Sequence, residues 1–305
     1  MPREGIGHNH TFIRRDQLLS FEDINRLTNI FIDLGVEKVR ITGGEPLLRR
    51  DVEVLVEMIA RNHDLDLTMT TNGSLLPKKA RALKDAGLKR VSISLDSLDN
   101  ETFTAMNGVE FSVADVLAGI EAADAVGLKP IKVNMVVVRG VNEESILPMA
   151  RYFRHTGHIL RFIEYMDVGT ANNWRLDDVV PASDIIANIE AEMPLESIEP
   201  TYRGEVAQRY RYKDGGGEIG IVASVSQAFC GDCSRMRLSA SGLLYTCLFA
   251  INGFNLRELL RNGASDLEIS KAITTTWTHR DDRYSEIRSS ETVGLPKIEM
   301  SDIGG

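Results

Sequence analysis

The residues best suited to chemistry lie together near the end of the chain. Cys230-Gly231-Asp232-Cys233-Ser234-Arg235-Met236-Arg237 and then Cys247 hold all three cysteines of the 305 residues, in the spacing C-x2-C-x13-C. A C-x-x-C turn supplies two thiolates and a hairpin return the third, enough to hold one metal centre with a coordination position left open. If Cys233 to Arg237 is extended, the period-2 alternation puts Cys233, Arg235 and Arg237 on one face. Two guanidinium groups beside a metal centre suit an anionic ligand. The same spacing also suits a structural zinc site with a distant fourth ligand such as His279.

Two further groups of residues invite a ligand. Ile41-Thr42-Gly43-Gly44-Glu45-Pro46 places two glycines where backbone can approach a bound molecule, and Glu45 adds a carboxylate able to hold an ammonium. Lys38, Arg40, Lys132, Arg235 and Arg237 form a basic set, and Lys38, Arg40 and Thr42 share one face of a short strand. In a curled parallel sheet that face lines the interior, where unpaired cations are costly unless an anion such as a polyphosphate offsets them. Snorkelling of Lys38 and pairing of Arg40 with an acidic loop would serve the same residues without a ligand. The closing Gly304-Gly305 is either a frayed end or a slender segment able to thread into a narrow site.

The elements that must position these residues repeat. Ser20 reads as the N-cap of an amphipathic helix carrying Ile24, Leu27, Ile30, Phe31 and Leu34, stopped by Gly35. Strands are predicted near 38–42, 65–71, 90–95, 131–138 and 159–165, separated by helices at 50–62, 77–86, 101–107, 112–126 and 143–156. This is a βα repeat with parallel strands. Because the chain opens on a helix, the strand that would normally come first is expected to be missing. Polar residues close the predicted strands, at Thr42 to Glu45, Thr70 to Gly73, Ser94 to Ser97, Asn134, and Glu164 to Asp167. Ligands of such sheets sit at those ends. From about Val168 the pattern changes to a helix at 183–193, strands at 206–212 and 217–225, the cysteine stretch, and helices at 256–262 and 266–276. The division predicted is residues 1–198 as a partial barrel and 199–305 as a smaller lobe.

Composition sets the outer limits. A hydrophobic fraction of 43% with 26% charged residues is ordinary for a globular chain, and the net charge of −9 disfavours nucleic acid and anionic membranes as partners. No apolar run approaches the length of a membrane span, and the polar N-terminus is not read as a signal peptide, which points to the cytoplasm. Three cysteines read as metal ligands rather than as a disulfide framework.

The motifs together resemble one family. Arg40-Ile-Thr-Gly-Gly-Glu-Pro46, Thr70-Thr-Asn-Gly73, Val91-Ser-Ile-Ser-Leu-Asp96, Arg161-Phe-Ile-Glu-Tyr-Met-Asp167, Phe229-Cys-Gly-Asp-Cys-Ser-Arg-Met-Arg-Leu238, Cys247-Leu-Phe249, Arg280-Asp-Asp-Arg-Tyr284 and Ile303-Gly-Gly305 are similar, along essentially the whole chain, to the GTP 3′,8-cyclases. These are radical S-adenosylmethionine lyases of molybdenum cofactor biosynthesis. The resemblance implies an α/β fold, an incomplete parallel (βα)6 barrel with a C-terminal iron–sulfur lobe. It implies two [4Fe–4S] clusters and an electron donor. An N-terminal cluster cleaves S-adenosylmethionine to a 5′-deoxyadenosyl radical, and that radical converts GTP to 3′,8-cyclo-7,8-dihydro-GTP. A downstream cyclic pyranopterin monophosphate synthase would take the product, and the enzyme would be a monomer or homodimer. Carried over by residue, Cys230, Cys233 and Cys247 would hold the C-terminal cluster with one iron open to the purine. Gly44, Glu45, Ser94 and Met166 fall at S-adenosylmethionine positions. Arg40, Thr70, Lys132, Arg235 and Arg237 fall at GTP positions, with Lys38, Thr42 and the Gly304-Gly305 tail as further candidates.

One departure stands against these agreements. The family's C-x3-C-x2-C motif for the radical-generating cluster is absent, since no cysteine precedes Cys230. Met1-Pro2-Arg3-Glu4-Gly5 resembles the point just past that motif, so the chain is expected to begin downstream of it and, as written, to be inactive in radical formation. The alternative is a non-catalytic nucleotide- or cluster-binding protein of the same fold.

Overall fold

A computed structural model describes residues 13–108, 111–169, 174–288, 297–299 and 303. The elements run α1 (Phe21–Asp33), β1 (Lys38–Ile41), α2 (Val52–Ala60), β2 (Asp66–Thr71), α3 (Leu76–Asp85), β3 (Arg90–Ser94), α4 (Asn100–Asn107), α5 (Val113–Ala125), β4 (Lys132–Val137), α6 (Ile146–Phe153) and β5 (Ile159–Glu164). They continue as α7 (Ala182–Glu190), β6 (Leu195–Ile198), β7 (Gln208–Tyr212), β8 (Glu218–Val222), β9 (Arg237–Leu238), β10 (Leu243–Tyr245), β11 (Phe254–Asn255), α8 (Leu256–Arg261), α9 (Asp266–Thr278) and α10 (Tyr284–Ile287). The helix starts follow local chemistry. Ser20, Ser112 and Ser265 each accept from the third residue of their helix, whose carboxylate reaches back to the cap, closing a capping box at α1, α5 and α9.

One sheet carries eight strands in the order β1-β2-β3-β4-β5-β8-β7-β6. The first six in that order are parallel neighbours, with β8 in the sixth place, and β7 and β6 complete the sheet antiparallel. The partial parallel barrel expected from the βα repeat is therefore present. The sheet also crosses the division expected at 198/199, which falls between the paired strands β6 and β7. Strand β6 is short and its two central residues, Glu196 and Ser197, are both exposed, so no alternation announces it.

Alternation gives the sheet two unlike faces. Val39, Leu67, Met69, Val91, Ile93, Val133, Met135, Leu160, Phe162, Ile219 and Ile221 pack toward the helices. The opposite face carries Lys38, Arg40, Thr68, Thr70, Arg90, Ser92, Ser94, Lys132, Asn134 and Arg161. The register sets these side by side, with Arg40 opposite Thr68, Thr68 opposite Arg90, Ser92 opposite Lys132 and Asn134 opposite Arg161.

A second apolar cluster joins Leu27, Ile30 and Phe31 of α1 to Leu244, Leu256, Leu260, Ile269 and Ile273. The stripe read on α1 thus packs largely against the C-terminal lobe, a long-range choice that periodicity does not reveal. Ion pairs Arg26–Asp266 and Arg261–Asp23 flank it. Truncating buried Leu27 to alanine in such a setting typically costs about 2–5 kcal/mol.

Candidate active site

The polar face meets the strand ends first at Glu45. Its carboxylate accepts from Leu47 N at 2.9 Å, from Thr71 Oγ1 at 2.8 Å and from Asn72 N at 2.7 Å. Burial pushes this carboxyl up, and those three donors pull it back. Glu45 thus ties the β1 loop to the end of β2, a structural duty beside the ammonium-holding one expected for it. Gly43 adopts φ +142, a conformation open to glycine. Gly44 has no such demand, and a Cβ added there would meet no protein atom within 4 Å. Packing does not require a glycine at 44, which leaves space for a ligand at that position. Ser94 and Met166 lie half-buried at the ends of β3 and β5. Two residues past Ser94, Asp96 is buried, accepts from Val136 N at 2.8 Å, and is pushed by burial up to about 6.

Below these loops the cations gather. Lys38, Arg40, Arg90, Lys132, Arg161, Arg235 and Arg237 lie within electrostatic reach of one another. Burial brings the Lys132 ammonium down to about 8, with Arg161, Arg90 and Lys38 adding to the effect and Glu205 opposing it. Burial likewise brings Arg161 and Arg237 to about 10. Arg40 keeps a water-exposed surface, although the protein around it also lowers its pKa, and its Nη1 reaches Thr70 Oγ1 at 3.5 Å. That exposure tempers its cost. Compensation is local and partial: Asp66 pairs with Arg90 and lies 3.8 Å from Lys38, and Arg161 holds Asn134 Oδ1 through Nε and Nη2 at 3.0 and 2.7 Å.

Every basic residue expected from the sequence belongs to this cluster. Arg90 and Arg161 were not among them, though the alternation that sends Val91 and Ile93 to the core also sends Arg90, Ser92 and Ser94 inward. Tyr202 and Glu205 are also new members. Lys38 Nζ sits 5.2 Å from the Tyr202 ring centroid, and the loop that carries them has no periodicity to read.

The cysteine stretch borders the same cations. Cys230–Asp232 forms a 3₁₀ turn, and the extended run expected over Cys233–Arg237 is confined to Arg237–Leu238 of β9. The partner strand β10 ends at Tyr245, opposite Arg237, so no ladder extends back to Cys233. The hairpin return to Cys247 is as expected. Cys233 and Arg235 still meet, with Nη2 donating to Sγ at 3.3 Å, and Arg235 lies over the Phe229 ring. Burial raises the Cys233 thiol, but the Arg235 charge and hydrogen bonds outweigh it and leave the group below its ordinary value. Burial pushes the Cys247 thiol up, Phe249 N donates to it at 3.4 Å, and the charges of Asp282, Cys230 and Cys233 push it further. The three cysteines are half-buried and reduced. Among the described residues no group of three or more His, Cys, Asp or Glu is gathered as the ligand set of a single ion. His279 caps α9, its Nδ1 2.8 Å from Thr275 O. A soft, all-thiol donor set with N–H and guanidinium donors at the sulfurs fits an iron–sulfur cluster. The 305 residues carry no other cysteine, so they do not fit a second cluster. Gly304 and Gly305 lie outside the described residues.

The sheet has counterparts. SuiB of Streptococcus suis bound to S-adenosylmethionine superposes with a TM-score of 0.61 at 16% identity, over 91% of this chain and 64% of that one. The AdoMet-bound anSMEcpe structure gives 0.51 at 15% identity, over 86% and 76%. The Radical SAM superfamily profile matches residues 5–153, and Molybdenum Cofactor Synthesis C matches 158–286. Fold and sequence thus define a radical SAM protein. The GTP 3′,8-cyclase of Acidothermus cellulolyticus is 49% identical over 331 aligned positions, covering 100% of this chain and 91% of the relative. Those of Staphylococcus carnosus and Xanthomonas axonopodis pv. citri are 44% and 46% identical at the same coverage. The chain belongs to the GTP 3′,8-cyclase family.

Proposed function

We propose that this chain binds GTP with its triphosphate on the Lys38, Arg40, Lys132, Arg235 and Arg237 face and its purine toward a cluster held by Cys230, Cys233 and Cys247. The observation that carries this reading is the excess of cations running from β1 and β4 toward those thiols, half-buried at Lys38 and Lys132 and more exposed at Arg40 and Arg235. A triphosphate offsets that excess, and Arg235 and Arg237 offer charge-assisted hydrogen bonds. Thr42 and Thr70 add hydroxyls, and Gly44, Glu45, Ser94 and Met166 line the S-adenosylmethionine side of the mouth. In the family's reaction, the clusters together supply reductive cleavage of S-adenosylmethionine and an iron site for the substrate. This chain's residues bind and orient: the cations fix the triphosphate, and the apolar helix-facing side of the sheet holds their strands rigid. Residues 1–198 and 199–305 serve as barrel and substrate lobe in this reading. Product would pass to a cyclic pyranopterin monophosphate synthase, in the cytoplasm.

The cysteine count favours a second, narrower reading of these 305 residues alone: binding of GTP and one cluster without radical formation. Anaerobic reconstitution separates the two. About four irons per chain, GTP-dependent change in the visible spectrum, and no 5′-deoxyadenosine from S-adenosylmethionine and reductant are expected of the polypeptide as written. About eight irons with 5′-deoxyadenosine formed would overturn the narrower reading. Failure to bind GTP would overturn both.

A further inference from the structure

Asp167 ends the motif that closes β5, and the proposed function gives it no part. Its side chain is 1% exposed, yet three donors from the C-terminal segment converge on it. Tyr284 donates its hydroxyl to Oδ2 at 2.5 Å, Arg288 Nε donates to Oδ1 at 2.8 Å, and Lys297 Nζ donates to Oδ2 at 2.8 Å. The side chains of Arg288 and Lys297 are 5% and 4% exposed, so two buried cations share one buried carboxylate. Burial alone would raise the Asp167 carboxyl, but these donors hold it below its ordinary value. Arg288 Nη1 also donates to Ser224 O at 2.9 Å, beyond the end of β8. The Nη2 of Arg288 is buried with no hydrogen-bond partner among the described residues, so within them the group carries more donor capacity than acceptor.

A continuous set of contacts runs from this carboxylate to the third cysteine. The Tyr284 ring stacks on Phe249 at 4.6 Å and 20°, the Arg288 guanidinium lies 5.0 Å from the Phe249 centroid, and Phe249 N donates to Cys247 Sγ. Thr246 donates its hydroxyl to Asp282, just before α10. The hairpin bearing Cys247 rests on only two- and three-residue strands. Such short ladders do not fix a loop by themselves.

We infer that Asp167 is a positioning residue: it pins Tyr284, Arg288 and Lys297 to the barrel mouth and, through the Tyr284–Phe249 stack, sets the place of Cys247 against the cationic face. Removing the carboxylate leaves two buried cations without their shared partner, which favours local opening of α10 and not of the barrel. The inference rests on Cys247 being a cluster ligand, but its test uses metal-free protein and does not depend on that reading.

The experiment compares wild type, Asp167→Asn and Asp167→Glu by hydrogen exchange and by thiol alkylation rate. Asp167→Asn is expected to speed exchange in α10 by at least about tenfold, given the cost of an unpaired buried charge. Alkylation of Cys247 should rise with it, while β2 to β4 exchange as in wild type. Asp167→Glu should restore part of both. Unchanged Cys247 reactivity and α10 exchange, or an equal acceleration across the barrel, would overturn the inference. If Asp167→Asn does not fold, Arg288→Met, which removes the tether at the end of α10, replaces it with the same two readouts and the same expectations. Iron content after reconstitution is measured separately, so a defect in cluster loading with normal α10 exchange counts against the positioning role and not against the cluster.

Discussion

Two regions of this molecule bury charge, and they do so in opposite ways. At the outer ends of β5 and β8, carboxylates are fully supplied with donors. Glu164, wholly buried, accepts from Ala182 N, Val225 N, Ser226 N and Ser226 Oγ at 2.5 to 2.8 Å. On the inner face of β1 to β5, cations crowd one another and few carboxylates answer them. A satisfied buried charge is explained by the fold it ties together. An unsatisfied cluster is a cost that the fold does not recover from its own atoms, and such places mark where a ligand completes the structure.

The comparison predicts opposite responses to mutation. The largest effect is expected at the satisfied site. Glu164→Ala strands two backbone amides of the 225–226 loop and one at the start of α7, and should cost at least about 3 kcal/mol in a denaturation experiment. Nucleotide affinity should change only in proportion to the unfolded fraction. A variant as stable as wild type would show that Glu164 is dispensable to the fold and would break the contrast.

At the unsatisfied site the same kind of change should spare stability and lose binding. Lys132→Met removes a half-buried cation whose strongest neighbours include other cations. GTP affinity is expected to fall by about 10- to 100-fold, the loss of one charge-assisted contact. The free protein should be as stable as wild type or slightly more so. A stability loss matching that of Glu164→Ala, with unchanged affinity, would make this cation structural.

The contrast was only partly legible in the sequence. Alternation around Val39 and Ile41 was enough to place Lys38 and Arg40 on the inner face, and the strand-by-strand polar ends marked the mouth. Arg90 and Arg161 follow the same alternation, but reading it requires the register that aligns β3 with β1 across β2 and sets β5 beside β4. The satisfied group was out of reach for a different reason. Asp167 and Arg288 are 121 positions apart, and nothing local in a polar tail announces a buried partner. The division read at 198/199 passes through the continuous sheet because β7 and β8 look like a free hairpin until β8 is paired with β5. Gly44 is the converse case: the motif is plain in the sequence, whereas only the structure shows that packing makes no use of its missing side chain.

The smallest effect is also the sharpest probe of the unsatisfied side. Lys132 sits at about 8 in the fold against an ordinary 10.5. Below pH 8 the ammonium is charged in both states and its full burial cost is present. Between about 8 and 10.5 the unfolded chain binds more protons, so stability rises with pH through that window. For a half-buried, partly screened group the rise is about 1–2 kcal/mol. Cysteine and tyrosine side chains titrate in the same range, so the quantity to measure is the difference between wild type and Lys132→Met across pH 7.5 to 10.5, a range chosen to bracket about two pKa units. The wild type should gain on the variant as pH rises. A bound triphosphate restores the ammonium's preference for its proton, so binding near pH 8 should take up a fraction of a proton, seen as a dependence of calorimetric heat on buffer ionisation. That uptake should vanish in Lys132→Met. Parallel pH curves for the two proteins, with no buffer dependence, would mean that Lys132 is already answered by groups such as Glu205 and would remove the central cation from the unsatisfied face.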